Sequence, residues 1–249
     1  MAELQKINQY CDDLLQVADF DDYCPNGLQV EASDSVTKIV TAVTASELAI
    51  EAAADLQADL LLVHHGYFWK GEGLALTGMK ARRIKKLFVN GLSLMAYHLP
   101  LDAHPTLGNN ACLAQRLRFD NSAPLMPKSL IWATELSQPA NACSLAQTIN
   151  GALGREPLHI AGGPIEFKRI AWCTGAAQSY LEKAAAQGMQ AFISGEISEN
   201  TVHTARELGI HYFAAGHHAT ERYGVQALGA HLAEQFDLQH EFVEISNPV

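Results

Sequence analysis

The sequence has no Cys-x-x-Cys pair, no long apolar run, no low-complexity segment and no surplus of positive charge. Each absence excludes something. The 5 cysteines, Cys11, Cys24, Cys112, Cys143 and Cys173, are odd in number and scattered. They offer neither a disulfide framework nor a thiolate zinc site, and they suit a reducing cytoplasm. Any metal must then be held by imidazole and carboxylate. The apolar run Leu60–Val63 is far too short to span a bilayer, and Met1–Tyr10 lacks the basic-then-apolar form of a signal peptide. The expectation is a cytoplasmic protein without membrane attachment. Basic residues number 17 against 27 acidic ones, a net charge of −10. A whole-surface nucleic-acid binder would need the opposite sign. A Walker-type GxxxxGK[ST] loop is also missing.

What is present is an ordinary globular composition, 48% hydrophobic and 18% charged over 249 residues. That length builds one large domain or two small ones. The odd feature is 11 histidines.

The patterning predicts an α/β fold. Glu3–Gln16 reads as an amphipathic helix with Leu4, Ile7, Cys11, Leu14 and Leu15 on one face. Pro25-Asn26-Gly27 is a turn leading to a short strand at Leu28–Val30. Lys38–Val43 and Leu60–Val63 read as buried strands, with a helix over Glu47–Leu56 capped by Ser46 between them. A helix at Lys80–Val89, a strand at Leu92–Ala96 and a helix at Asn109–Leu117 follow. Strands alternating with helices specify a parallel sheet.

The same grammar returns with strands at Arg169–Cys173, Ala191–Ser194 and Ile210–Ala214, and helices at Gln178–Gln187, Thr201–Leu208 and Thr220–Phe236. Placing Lys38 on Arg169 without a gap brings Ile39 onto Ile170, Glu51 onto Glu182 and His65 onto Glu196. Such a register fits an internal duplication, and equally two independent α/β units of similar pattern. Between the halves, Pro124, Pro127, Pro139, Gly162, Gly163 and Pro164 break the pattern, with one helix near Ser144–Leu153. The expected domains are residues 1–123 and 124–249, the last helix and strand packing back on the first.

Three histidine and acid clusters each fall just after a predicted parallel strand, where open α/β sheets place their sites. His64-His65-Gly66 ends the Leu60–Val63 strand. Neighbouring strand residues point to opposite faces, so both imidazoles share a cavity only if the chain turns, which Gly66 permits. A strand-end cap beside a surface histidine would look the same. His98 and Asp102 follow the Leu92–Ala96 strand, and Pro100 between them predicts a loop rather than a helix. His217 and Glu221 are spaced i, i+4, so one helical turn presents both on one face. A capped helix start with an acidic first turn has that spacing too. Taken together, His64, His65, Asp102, His217 and Glu221 supply a nitrogen and oxygen donor set for two divalent cations, which would acidify a bridging water. Zinc, iron, manganese, nickel and cobalt all accept such donors.

The segments PNGLQVE (Pro25–Glu31), VHHGYFWKG (Val63–Gly71), HLPLDAHPTLGNNA (His98–Ala111), SGE (Ser194–Glu196) with His203, and AAGHHATER (Ala214–Arg222) resemble, in order, one bacterial family. It is that of the GTP cyclohydrolase I type 2 homologues, also called Nif-three-like proteins. The resemblance covers essentially the whole chain. It implies two similar α/β domains, a dinuclear metal cleft between them and a toroidal homohexamer. It places metal ligands at His64, His65, Asp102, His217 and Glu221, the set reached from the residues themselves. Longer members carry an inserted domain that this chain is too short to hold. The resemblance also offers Glu196 and His203 as a proton shuttle or as supports of the ligands, while His98 and His104, which flank Asp102, are candidates to support it or to make loop hydrogen bonds. A capping or buried role fits each of these as well. Asn26 and Asn109 line the site or serve as turn and cap residues. Tyr67, Phe68 and Trp69 stack a purine, or pack a loop or a subunit contact.

The family name implies opening of the guanine imidazole ring of GTP. A triphosphate also asks for a cationic clamp or an amide cradle. The densest basic stretch is Lys80–Lys86, either a phosphate-attracting segment or a solvated helix face with Ile84, Leu87 and Phe88 turned inward. The first reading is therefore a dinuclear-metal hydrolase acting on a small cyclic or phosphorylated substrate. The second is a non-catalytic metal-binding hexameric ring serving as adaptor or nucleic-acid-associated scaffold.

Overall fold

The computed structural model describes residues 1–249. From the N-terminus come β1 (Ala2–Glu3), α1 (Leu4–Leu14), β2 (Gly27–Val30), β3 (Ser35–Val36), β4 (Lys38–Thr44), α2 (Glu47–Asp55) and β5 (Leu60–His65). Next are α3 (Gly78–Val89), β6 (Ser93–Ala96), α4 (Leu99–Ala103), α5 (Asn109–Leu117), β7 (Ala123–Pro124), β8 (Trp132–Ala140) and α6 (Ala142–Leu153). The chain ends with β9 (Leu158–Ile160), β10 (Phe167–Cys173), α7 (Leu181–Ala186), β11 (Ala191–Ser194), α8 (Glu199–Glu207), β12 (His211–Ala214), α9 (His217–Phe236) and β13 (Gln239–Phe242). No helix is long and apolar enough to cross a membrane.

The chain forms two compact units. One holds Met1–Leu101 and Gly224–Ser246, the other Asp102–Tyr223 and Asn247–Val249. In the first unit a five-stranded sheet has the order β13-β4-β5-β6-β2. The first four strands are mutually parallel, and β2 runs antiparallel to β6. Parallel neighbours need crossovers, which α2 and α3 provide. Ile39, Val40 and Leu60–Val63 are fully buried, as expected of strands covered on both faces. The Ser46 hydroxyl starts α2 by accepting from the Ala49 amide at 3.2 Å. Ile50 and Ala53 of α2 and Leu87 of α3 then pack on Val40, Leu61 and Leu94. The buried face of α1 is Leu4, Ile7 and Cys11.

The second unit has a six-stranded sheet ordered β7-β8-β10-β11-β12-β9. Its centre, β10-β11-β12, is parallel, flanked by antiparallel β8 and β9. Phe192 and Tyr212 from the strands meet Leu181, Ala184 and Ala205 from α7 and α8 in its core.

Several expectations change. The division falls between Leu101 and Asp102, not near Ala123, because α5 is tied to β10. The Trp172 indole donates to the Asn110 carbonyl and the Thr174 amide to the Asn110 side chain, each at 3.1 Å. The proline-rich stretch after Ala123 is thus a connection inside the second unit. His98–Asp102 is not a loop, since Leu99–Ala103 is α4. Pro100 sits in its first turn, where a missing amide hydrogen breaks no helical bond. Strand β8 was not foreseen, because Pro139 and several exposed positions mask its pattern. The Gln178–Gln187 helix opens as a 3-10 turn at Gln178–Tyr180 before α7. The gapless internal register matches the starts of β5 and β11, Leu60 and Ala191, but not the third strand. It carries Ser93, the start of β6, onto Gly224 inside α9, whereas β12 begins at His211.

Candidate metal centre

In the first unit, β5 extends through both histidines rather than stopping at Val63. Val63 pairs with Ala96, the last residue of β6, so His64-His65 at the end of β5 and Tyr97-His98 just after β6 follow directly on that pair. His64 is fully buried, and its ring centroid lies 4.6 Å from that of His65. Its Nδ1 is 2.8 Å from the Tyr97 carbonyl oxygen. A carbonyl only accepts, so Nδ1 carries the proton and Nε2 the lone pair. Nδ1 of His65 meets the Thr44 hydroxyl at 3.2 Å, and Nδ1 of His98 meets Asp22 Oδ1 at 2.7 Å. Ligand atoms of His64, His65 and His98 lie within 4.8 Å of one another.

The PNGLQVE motif clamps this cluster. Asn26 donates to Asp22 at 2.9 Å and accepts the His98 amide at 2.7 Å, while the Leu99 amide donates to Asp22 at 2.9 Å. Burial alone would raise the Asp22 carboxyl. The hydrogen bonds from His98 and Asn26, helped by the charge of His98, outweigh it and hold Asp22 down at about 2. Asp22, Cys24 and His98 form a second ligand-type group. Burial, with the Asp22 charge adding to it, pushes the Cys24 thiol up to about 12, so it is a protonated neighbour. Gln29 accepts the Tyr67 amide at 2.7 Å and donates to the Pro25 carbonyl at 2.8 Å. A Cβ on Gly66 would lie 2.2 Å from Gln29 Oε1 and 2.6 Å from Ala96 Cβ. Close approach, rather than a special turn, is what requires glycine there. Tyr67 is buried and donates to the Ala45 carbonyl at 2.7 Å, and the Trp69 indole donates to the Gly66 carbonyl at 3.1 Å. Both anchor the loop. The Trp69 ring also stands edge-on to His98, with centroids 5.0 Å apart.

In the second unit, Asp102 is buried on α4. Its Oδ1 accepts from the Asn109 amide group at 2.8 Å and from the Thr174 hydroxyl at 3.3 Å. Helix α9 starts at His217, three residues before the expected Thr220, so His217 and Glu221 share its first turn. His217 Nε2 is 3.0 Å from Glu221 Oε2, and His217 Nδ1 is 2.6 Å from Glu196 Oε1. Burial would lower the imidazole pKa. The hydrogen bond and charge of Glu221, joined by those of Glu196, overcome this and raise it to about 9. Glu196 thus orients His217, the way carboxylates fix metal-bound imidazoles. Gly175 has φ +68°, and a Cβ there would stand 2.1 Å from Glu221 Oε1. The buried Cys173 thiol is pushed up by burial first and then by the charges of both Asp102 and Glu221. Two buried carboxylates beside the end of β10 form an environment that a cation relieves.

The remaining candidates fall elsewhere. His203 lies on the exposed side of α8, 3.3 Å from Glu199, and the structure does not bring it to Glu196. His104 Nδ1 accepts the amides of Thr106 and Leu107 at 3.3 and 3.0 Å, a turn role. In the basic segment, Lys80 pairs with Glu72 at 2.8 Å, and Lys86 with Glu47 at 2.7 Å and also with Glu51. Ile84 and Leu87 turn inward as expected, but Phe88 is 57% exposed. Sequence reading missed Asp22, Thr174 and Gly175, which carry no motif of their own.

Imidazoles with fixed tautomers and buried carboxylates, without a thiolate, fit a divalent first-row transition metal. Such donor clusters on an α/β chain accompany a clear kinship. The family model for Duf34/NIF3 (NGG1p interacting factor 3) matches residues 2–248, and the chain belongs to this family. A relative from Allochromatium vinosum, named GTP cyclohydrolase 1 type 2 homolog, is 52% identical over 249 residues, covering 100% of this chain and 98% of that protein. A solved structure described as protein ybgI, of unknown function, matches with a TM-score of 0.96 at 48% identity over 100% of both chains. The crystal structure of TTHA1606 from Thermus thermophilus matches with a TM-score of 0.90 at 32% identity, again over 100% of both chains.

Proposed function

We propose that this chain is a metal-dependent hydrolase in which His64, His65, Asp102, His217 and Glu221 hold two divalent cations. The observation that carries the reading is the Glu196–His217–Glu221 array, 2.6 and 3.0 Å across its two contacts. One carboxylate orients the imidazole, and the other stands as a partner donor on the same helical turn. Bound divalent cations supply Lewis acidity and make water a nucleophile near neutral pH. The protein's own groups do the rest. Tyr97 fixes the tautomer of His64, Thr174 and Asn109 hold Asp102, and Gly175 leaves room for Glu221.

The substrate class in this reading is a small cyclic or phosphorylated molecule. GTP enters through the names of the relatives. A homohexamer is part of the proposal. In the Lys80–Lys86 segment, Lys80 and Lys86 are engaged with glutamates, which leaves Arg82, Arg83 and Lys85 as the cations for any phosphate or nucleic-acid contact in the alternative reading.

The test is metal analysis of the purified protein with a screen of nucleotides, esters, amides and phosphates, and an Asp102→Ala control. Turnover that is lost with chelator, restored by divalent metal and absent in Asp102→Ala is expected. A folded, metal-loaded hexamer that hydrolyses nothing would overturn the hydrolase reading in favour of a non-catalytic ring.

A further inference from the structure

We propose that His159 and His211 form an acid-opened clasp, which holds residues 158–164 on the edge of β12 at neutral pH and releases them when both rings are protonated. The inference lies outside the metal centre and does not depend on the hydrolase reading.

Strand β9 is the outermost strand of the second sheet and joins it only through β12. His159 stands opposite Phe213 in that ladder, and the two rings stack with centroids 4.6 Å apart and 18° between their planes. His211 lies two residues before Phe213 on β12, so its side chain is on the same face. It is buried, with the Phe167 ring of β10 against it at 5.2 Å. Its Nε2 is 2.9 Å from the Pro164 carbonyl oxygen, and its Nδ1 is 3.1 Å from His159 Nε2. One short segment thus grips one imidazole at both nitrogens. The backbone comes close enough because position 163 is glycine. A Cβ on Gly163 would stand 2.6 Å from His211 Cδ2.

The protons of this grip are assigned by its partners. A carbonyl only accepts, so His211 donates from Nε2 and carries its lone pair on Nδ1. His159 Nε2 then donates to that lone pair. A proton on His159 Nδ1 leaves the bond intact. A further proton on His211 Nδ1 does not, because two N–H groups would then face each other and two positive rings would stand with centroids 5.1 Å apart. No carboxylate, lysine or arginine bonds to either ring, and the one charge acting on His159 is that of His211. Burial first, and that charge second, hold the His159 imidazole below its ordinary value. A lowered folded-state value contributes stability that is present above the unfolded one, about 6.5, and is lost as pH falls toward the folded one. The clasp is therefore closed at neutral pH and opens in acid. Opening strips β12 of its only neighbour on that side and leaves it as a bare sheet edge.

The experiment is hydrogen exchange read by mass spectrometry on the full chain, between about pH 7.5 and about pH 5. Rates are corrected for the intrinsic effect of pH, and the series is run with and without chelator so that acid release of metal is told apart from the clasp. Peptides covering residues 158–164 and β12 should lose protection by about tenfold per pH unit below about pH 6.5, as one extra proton on the open form requires, while β10 and β11 keep theirs. In His159→Gln the side-chain amide can turn either a donor or an acceptor to His211, so protection should stay level over the same range. Three results overturn the inference. They are wild-type protection of residues 158–164 that does not fall with pH, a fall spread evenly over the whole second sheet, and an equal fall in His159→Gln. The first two are read on the wild-type chain, so they decide the matter even if the variant does not fold.

Discussion

His217 is held between two carboxylates, and its proton is held with it. In the metal-free protein its pKa is about 9 against about 6.5 for a free imidazole, because Glu221 and Glu196 outweigh the opposing effect of burial. A raised folded-state pKa contributes stability that is fully present below the unfolded value and is lost as pH rises through the folded one. Chelator-treated protein should therefore weaken between about pH 6.5 and about pH 9 through this group, and His217→Gln should lose that part of the decline. Urea midpoints measured across that range check it, and parallel curves for the two proteins would refute it. A cation competes with the same proton, so metal affinity should rise over the same interval. The five donors were legible in the sequence because imidazole and carboxylate side chains ending parallel strands advertise their chemistry. Asp22, Thr174 and Gly175 were not. Their parts are to aim a donor or to stay out of its way, and a lone Asp, Thr or Gly between strands carries no such signal.

At the scale of elements, the clamp between the Pro25-Asn26-Gly27 turn and the end of β6 is the most consequential local device. Asn26 alone joins Asp22 to the His98 amide, through contacts of 2.9 and 2.7 Å. Asn26→Ala leaves both partners short of a hydrogen bond, which should cost about 2–3 kcal/mol of stability. Urea denaturation of the metal-free variant measures this, and a loss below about 0.5 kcal/mol would show that the clamp is dispensable. Most strands and helices were readable, since buried parallel strands such as Leu60–Val63 are continuous apolar runs. Among the elements that escaped, two did so for opposite reasons. In α4, Pro100 looked like a helix breaker, yet it sits in a first turn where it breaks nothing. In β8, antiparallel to β10, only Trp132 and Thr134 are buried and Pro139 interrupts the far end, so no clean alternation survives.

For the whole molecule, a bound divalent cation should act as a stabilising ligand. Metal at about 100-fold over its dissociation constant adds about 2.7 kcal/mol, a rise of roughly 5–10 °C in Tm for a chain of this size. Thermal scans with and without chelator test this, and Asp102→Ala should show a smaller shift. An identical Tm in all three samples would argue against metal binding by the native state. The division of the chain was the least legible feature. Punctuation by proline and glycine after Ala123 pointed to a boundary, but the hydrogen bonds of Asn110 to Trp172 and Thr174 bind α5 to the second sheet instead. The sequence pattern reports where the backbone turns, not which surface a helix will cover.

The path of the chain has a consequence for biosynthesis. Strand β4 of the first unit is flanked on one side by β13, which is Gln239–Phe242. The first unit includes Met1–Leu101, yet its sheet lacks an outer strand until Gln239–Phe242 has been made. As the polypeptide leaves the ribosome, Lys38–Thr44 therefore waits with one row of backbone amides and carbonyls unmatched, while the second unit has most of its residues available. The earliest-made half in this way stays unfinished until nearly the whole chain has been synthesised, and the interval before Gln239–Phe242 arrives is when this chain has most to gain from a chaperone.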